Sequence, residues 1–224
     1  MERLQGRWII NKTLSTGTEG ILKLQGVPWA LRKAVSLVTI TLDVAIYPKT
    51  TTTSAETDPA STTKPPTIID LQITATGGLP GAKELRVLDW SEQDQSDFAF
   101  GTTKHRTGLV KGNPDAAGNW YPDIEMKNDP GSDEARRFLR GEILEDGSPS
   151  TWLVRSTDPE EEAWVHTLIR SVPEKWTVEQ VWGFEEIDGQ LYHARRFVAV
   201  NLKGEYALGR ALYKRADDCS GANN

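Results

Sequence analysis

The fold class is decided by residues 177–201, which read TVEQVWGFEEIDGQLYHARRFVAVN. Apolar and polar residues alternate on both sides of Asp188-Gly189, and Gln180, Trp182 and Phe184 share one face of the first run. Alternation of this kind is typical of β-strands, and an Asp-Gly pair between two such runs is typical of a two-residue hairpin turn. The stretch therefore predicts two long antiparallel strands joined by a tight turn.

The rest of the chain repeats this pattern at short intervals. Further strands are predicted at 6–15, 38–47, 67–76, 84–90, 98–103, 105–111, 151–156, 163–171 and 205–214. A short helix carrying Ile21, Leu22 and Leu24, and a second helix over 29–37 that begins at Pro28, follow the first strand. About ten strands joined by short turns, with this helix-turn-helix after the first, predict an all-β, antiparallel up-and-down barrel.

Three segments fall outside the strand pattern. Residues 48–66 are rich in Thr, Ser and Pro and predict a flexible loop, and the tail from 216 is polar and is expected to be disordered. Residues 112–149 are rich in Gly, Pro, Asn and Asp and predict an insertion or a lid, with one helix over 132–140 and Ser132 as its N-cap. We expect a single barrel domain over 1–215.

Composition excludes several classes of protein. The chain has 224 residues and a net charge of -6, which argues against a nucleic-acid partner because phosphate binding needs a basic surface. Cys219 is the only cysteine, so an internal disulfide is impossible. No signal peptide or membrane span is visible, and we expect a cytoplasmic protein. The three histidines lack metal-ligand spacing, and no metal or other cofactor is predicted.

Several segments carry a resemblance to known barrels. Gly6-Arg7-Trp8 resembles the Gly-x-Trp start of lipocalins and fatty-acid-binding proteins, and 21–33 (ILKLQGVPWALRK) resembles the helix-turn-helix of the latter. Arg210 in the last strand resembles the calycin arginine that packs on the first-strand tryptophan. The segments GRWIINKTLS, ILKLQGVPWALRKAVSLVTITL, RVLDWSE, WTVEQVWGFEEIDG and RRFVAV are similar to fungal lipocalin-like proteins.

The resemblance implies a calycin barrel that holds a hydrophobic small molecule. It also implies that the chain acts as such barrels do in fungi, as a cofactor-free isomerase or cyclase of a polyketide or terpenoid intermediate in secondary metabolism. The chain departs from fatty-acid-binding proteins in its greater length and in its last strand. Leu212 follows Arg210 by two residues and Tyr213 falls on the opposite face, so an Arg-x-Tyr clamp on a carboxylate is not expected.

The candidate catalytic residues are His193, Tyr206 and Arg196. A histidine inside a barrel can act as a general base and a phenol can donate to a carbonyl, although each can equally be structural. One of Arg195 and Arg196 faces inward and needs a partner, either a ligand carboxylate or enolate or an internal carboxylate such as Glu185 or Asp70. The candidate ligand contacts are Trp29, Tyr47, Trp152, His166, Gln180, Trp182 and Phe184.

Two functions remain open from the sequence. The first is the isomerase or cyclase, in which a closed pocket folds the substrate into its reactive shape and a lid at 112–149 excludes water. The second is a non-catalytic carrier of a lipid-like or fatty-acid-like ligand. Several polar side chains converging on one point of the cavity favour catalysis, whereas a single anchoring charge favours carriage.

Overall fold

The computed structural model describes residues 2–49, 67–153 and 163–217, and its main element is one sheet of ten antiparallel strands. The strands of the chain are β1 Gly6–Ile10, β2 Ile40–Pro48, β3 Thr67–Ala75, β4 Ala82–Val87, β5 Gln93–Asp97, β6 Gly101–Val110, β7 Gly112–Pro114, β8 Trp120–Pro122, β9 Trp164–Ser171, β10 Trp176–Ile187, β11 Gln190–Asn201 and β12 Tyr206–Arg215. The helices are α1 Thr18–Leu24, α2 Trp29–Leu37 and α3 Asp133–Arg140, after one 3₁₀ turn at Glu2–Leu4.

The ten-stranded sheet curls into a nearly closed barrel. Its order is β4-β3-β2-β1-β12-β11-β10-β9-β6-β5, so the first and last strands of the barrel lie side by side. Leu88, just after β4, forms an isolated bridge with Thr107 of β6 and draws the two edges of the sheet together. This architecture confirms the predicted all-β antiparallel barrel with a helix pair after the first strand.

The β10–β11 hairpin has the predicted turn. Asp188 and Gly189 have φ values of 51° and 76°, the left-handed conformations that a tight two-residue turn requires. The turn pairs Ile187 with Gln190 and fixes the register along both strands. Even-numbered residues of β10, such as Gln180, therefore face the barrel interior together with odd-numbered residues of β11, such as Arg195.

Two predicted strands differ from the structure. The strand placed at 98–103 is a turn at its start, where Asp97 accepts hydrogen bonds from the amides of Ala99 and Phe100. The strand that precedes it, β5, was not predicted because its sequence QDQSD contains no apolar residue. Residues 151–153 are not a strand, and 154–156 of that prediction lie outside the described residues, as do 50–66 and 218–224.

The closed end of the barrel is packed around Trp8, which is fully buried. Its Nε1–H donates to the carbonyl of Leu4 at 2.8 Å, and the guanidinium of Arg215 lies 4.7 Å from the centre of its ring. Trp8 also pairs in register with Arg215. The prediction that Arg210 packs on Trp8 is wrong, because Arg210 lies on the opposite face of β12 and binds Glu185.

The insertion 112–149 packs on the outside of the barrel. The helix α3 covers the outer faces of β10 and β11, where Phe138 and Leu139 are fully buried in one cluster with Trp152, Trp164 and Tyr121 of β8. Ser132 caps α3 as predicted, accepting a hydrogen bond from the amide of Ala135. No residue of 112–149 lines the barrel cavity, so the structure gives this segment no position from which to act as a lid.

The helices of the described ranges are all short. None has the length and apolar character needed to cross a membrane.

Candidate functional site

A cavity of about 500 Å³ lies between the helix pair and the barrel wall, within the size range of small-molecule sites. Most of its lining is apolar and comes from both the helices and the strands, including Ile21, Leu22, Phe100, Trp176, Phe197 and Ala211. Gly17 and Gly209 let α1 lie directly against β12, since a Cβ on Gly17 would be 2.0 Å from the carbonyl oxygen of Leu208. The helix pair therefore forms one end of the cavity.

One side of the cavity is polar and combines side chains from four strands. We call Glu84, Arg86, Gln180, Arg195 and Tyr213 the polar wall. Arg86 donates from Nε and Nη2 to one oxygen of Glu84, at 3.2 and 2.5 Å. Nη1 of Arg86 and Nη2 of Arg195 are buried and have no hydrogen-bond partner among the described residues. A bound oxygen acceptor would offset the cost of burying these donors.

The polar wall carries one net positive charge near neutral pH. Burial raises the pKa of Glu84, but the attraction of Arg86 outweighs it and holds that pKa below its usual value. Burial raises the pKa of Tyr213, which therefore stays a neutral phenol. Two guanidinium charges against one carboxylate leave a single positive charge. The other four charged residues of the lining cancel in sign; they are Lys12, Arg32, Glu19 and Asp97.

Arg195 is held in place from behind. Its Nε–H donates to Nε2 of His193 at 3.0 Å, and its guanidinium lies 3.9 Å from the centre of the Trp182 ring. Trp182 in turn donates its Nε1–H to Oε1 of Gln180 at 2.9 Å. This bond fixes the amide of Gln180, so that its nitrogen, a donor, is left for a partner in the cavity.

Burial, together with the charge of Arg195, lowers the pKa of His193 well below its usual value. Because Arg195 Nε can only donate, Nε2 of His193 accepts, and its Nδ1–H donates to the carbonyl of Gly183 at 3.2 Å. Both ring nitrogens are therefore occupied, and His193 does not line the cavity. This geometry corrects its assignment as a general base in contact with the ligand.

Two known proteins are similar to this chain in sequence over most of its length. The chain is 28% identical over 207 residues to "Pericyclase pydY" of Acremonium sp, covering 92% of this chain and 88% of that protein. It is 27% identical over 198 residues to "Probable pericyclase scpY" of Mollisia scopiformis, covering 88% and 82%. No protein-family model matches the chain.

A solved structure shows the same overall fold. The crystal structure of a mutant of the fluorescent protein UnaG aligns with a TM-score of 0.50 at 15% identity, over 96% of this chain and 98% of that chain. Fatty-acid-binding protein 1 of Echinococcus granulosus aligns with a TM-score of 0.49 at 9% identity, over 96% and 99%. The fold is a calycin-type barrel, as the sequence resemblance predicted.

Four of the residues singled out in the sequence face the barrel interior. Gln180 lines the cavity, and Trp182 and His193 lie directly behind Arg195. Phe184 packs farther toward the closed end, 6.0 Å from the ring of Trp8. The roles of Gln180, Trp182 and Phe184 toward a ligand stay predictions.

Arg196 and Trp152 lie outside the barrel, beneath the insertion. Arg196 is fully buried and binds Glu185, the carbonyls of Phe138 and Ile143, and Ser150. Trp152 packs in the same outer cluster. Arg196 therefore has the internal carboxylate that the sequence offered as its alternative partner, which corrects its assignment as a catalytic residue.

Tyr206 and His166 also belong to the outer surface of the barrel. The hydroxyl of Tyr206 donates to Glu134 of α3 at 2.8 Å. Nε2 of His166 lies 2.6 Å from the fully buried Glu179, which accepts the backbone N–H groups of Lys127 and Asn128. Tyr206 binds the insertion directly, His166 is linked to it through Glu179, and neither residue lines the cavity.

Trp29 and Tyr47 are exposed to solvent. Trp29 on α2 is 64% exposed, and Tyr47 at the end of β2 is 41% exposed, with its hydroxyl bound to Asp70. Neither residue lines the cavity. Their assignment as ligand contacts is therefore not supported.

Sequence reasoning missed the residues that give the cavity its charge, Glu84, Arg86 and Arg195. On β4 the charged residues face inward while Leu85 between them is 46% exposed, the reverse of the usual pattern. For Arg195 a signal was present, because the Asp-Gly turn fixes the pairing of Trp182 with Arg195. If Trp182 faces inward, Arg195 does too.

Among the described residues, no group of three or more His, Cys, Asp and Glu side chains could hold a metal ion.

Proposed function

We propose that this protein binds a hydrophobic, oxygen-bearing intermediate of secondary metabolism in the barrel and directs its isomerisation or cyclisation without a cofactor. The observation that carries the proposal is the pair of buried arginines with unused donors, Arg86 and Arg195, on one wall of a cavity whose lining surface is mostly apolar. Similarity to two proteins named as pericyclases supports the class of reaction.

The proposed mechanism divides the work between the two parts of the cavity. The apolar lining holds a flexible substrate in a folded conformation and brings its reacting carbons together. Arg86 and Arg195 hold an anionic or carbonyl oxygen conjugated with the reacting π-system and stabilise charge that develops there. In a pericyclic step, bonds form and break within the substrate alone, so the product has the substrate's composition and no proton or electron passes to the protein.

The alternative is a carrier of a lipid-like ligand. The same cavity would hold a fatty-acid-like chain, with its carboxylate against the arginines. The convergence of Glu84, Arg86, Gln180, Arg195 and Tyr213 on one wall favours the enzyme, because carriage needs only one anchoring charge.

The test uses a compound from the organism that encodes the protein. The gene is deleted, the compound that accumulates is isolated, and it is incubated with purified protein in buffer containing EDTA and no added cofactor. We expect conversion to a product of identical mass and different retention time. Arg195→Met should abolish conversion, whereas Arg106→Met, an exposed arginine of β6, should retain it. Tight binding of the unchanged compound would instead establish the carrier.

A further inference from the structure

We propose that His193 is a positioning residue for Arg195: it accepts the Nε–H of the guanidinium and leaves both terminal nitrogens of Arg195 free for the ligand. This inference rests on the proposed function, because it assigns Arg195 to the oxygen-bearing head of the substrate. His193 acts through Arg195 and does not touch the ligand.

The hydrogen bonds of His193 allow only one arrangement. Arg195 Nε lies 3.0 Å from Nε2, and the carbonyl oxygen of Gly183 lies 3.2 Å from Nδ1. A guanidinium can only donate and a carbonyl can only accept, so the ring must carry its proton on Nδ1 and none on Nε2. The neutral Nδ1–H tautomer satisfies both partners at once, which ties the orientation of Arg195 to the backbone of β10.

The imidazole cannot turn toward the cavity. It is fully buried, and its ring centre lies between 5.7 and 6.2 Å from four aromatic ring centres, which belong to Trp8, Trp182, Phe184 and Tyr213. A close-packed ring of this kind holds a fixed orientation. The geometry therefore suits a support for Arg195 and does not suit a base that must reach a substrate.

The need for such a support follows from Glu84. One of its oxygens receives both hydrogen bonds from Arg86, and no described residue hydrogen-bonds to the other. Burial lowers the pKa of Arg195, and the negative charge of Glu84 acts against that shift. A guanidinium free to turn would donate to that carboxylate oxygen, since hydrogen bonds between two charged groups are strong, and the positive charge offered to a ligand would be lost. By binding Nε, His193 removes that donor from Glu84 and keeps Arg195 on the face of Trp182.

The experiment compares two amide replacements. Gln places its terminal oxygen near the position of Nε2 and can still accept from Arg195, whereas Asn places its amide near Nδ1 and cannot. Decanoate and decan-1-ol serve as an anionic and a neutral probe, with dissociation constants measured by tryptophan fluorescence. We expect wild type to prefer decanoate by about tenfold or more, His193→Gln to stay within about threefold of wild type, and His193→Asn to lose most of the preference.

Each outcome has a distinct meaning. Wild-type protein that binds both probes equally removes the anion-binding role of Arg195 and with it this inference. Wild type that discriminates, with both variants also discriminating, overturns the positioning role alone and leaves the proposed function standing. Equal loss of preference in both variants also overturns it, because the retained acceptor in His193→Gln should rescue binding.

A measurement on wild type decides the matter if either variant does not fold. In ¹⁵N-labelled protein at neutral pH, the histidine correlations should show His193 protonated on Nδ1 and unprotonated on Nε2, with and without decanoate. A proton on Nε2 in either state would overturn the inference, because Nε2 could not then accept from Arg195.

Discussion

Arg195 and Arg196 are neighbours on β11 with opposite environments, and replacing each by Met should separate ligand binding from stability. Arg195 faces the cavity with unused donors, whereas Arg196 faces the insertion and binds Glu185, two backbone carbonyls and Ser150. We expect Arg195→Met to abolish the preference for an anionic probe at little cost in stability. Arg196→Met should lower the melting temperature, while the folded protein should keep its preference for the anionic probe.

The expected stability changes follow from the contacts. Arg196→Met leaves Arg210 as the remaining partner of Glu185, but it takes a charged donor from the buried carbonyls of Phe138 and Ile143. At about 1–3 kcal/mol for each of these lost hydrogen bonds, the free energy of unfolding should fall by about 2–6 kcal/mol and the melting temperature by roughly 4–24 °C. Arg195→Met loses the bond to His193, about 1–3 kcal/mol, and the stacking on Trp182, about 0.5–2 kcal/mol. It also removes a buried charge that costs several kcal/mol to desolvate, so the net change should lie within about 2 kcal/mol of zero.

The assay combines thermal melts of the unliganded proteins with decanoate and decan-1-ol titrations below the melting range. An Arg195→Met protein that melts as low as Arg196→Met and still prefers decanoate would refute the assignment of Arg195 to ligand binding and Arg196 to stability. That assignment would also be refuted if Arg196→Met lost the preference while remaining folded. Arg106→Met, on the outer face of β6, controls for the loss of an exposed arginine.

Three further predictions concern pH, the helix pair and the polar wall. Burial and Arg86 lower the pKa of His105 from 6.5 to about 4, so the unfolded chain binds a proton first as pH falls. The free energy of unfolding should therefore rise between about pH 4 and 6.5, and urea titrations of His105→Gln should show a shallower rise; equal slopes would contradict this. Gly17→Ala should displace α1 and weaken binding of both probes, whereas Gly26→Ala, with open space around its Cβ, should bind them as wild type does. Glu84→Gln removes the carboxylate that competes for the arginines, so decanoate should bind several-fold more tightly in titrations, and weaker binding would count against an anion site.

Much of the fold could be predicted because its signals are local. The β10–β11 hairpin follows from alternation around Asp188-Gly189, and the helix pair follows from Pro28 and the apolar spacing of α1. The one barrel strand that escaped prediction, β5, is polar throughout, so neither hydrophobicity nor alternation marks it. Its place in the barrel depends on pairing with β6, a contact that no local pattern shows.

The candidate site was harder to predict because its residues violate the usual rule of apolar inside and polar outside. Glu84 and Arg86 read as the solvent face of an edge strand, yet they face the cavity. To decide which of Arg195 and Arg196 faces inward, the register of the hairpin is needed. That register pairs Trp182 with Arg195, so an inward-facing Trp182 places Arg195 on the inner face as well. Departures from consistent patterning are expected at functional sites, where side chains serve a ligand at the expense of stability.

The position of the insertion explains how the barrel tolerates such a site. A cavity of about 500 Å³ with unpaired guanidinium donors leaves little apolar packing in that part of the interior. The largest buried cluster lies instead on the outer face of β10, β11 and β9, where Phe138 and Leu139 of the insertion pack with Trp152 and Trp164. The outer face of these strands thus supplies much of the apolar packing, whereas the ligand cavity lies on their inner face. It follows that changes to the insertion should alter the free energy of unfolding, whereas changes to the inner face should alter which molecule the barrel selects.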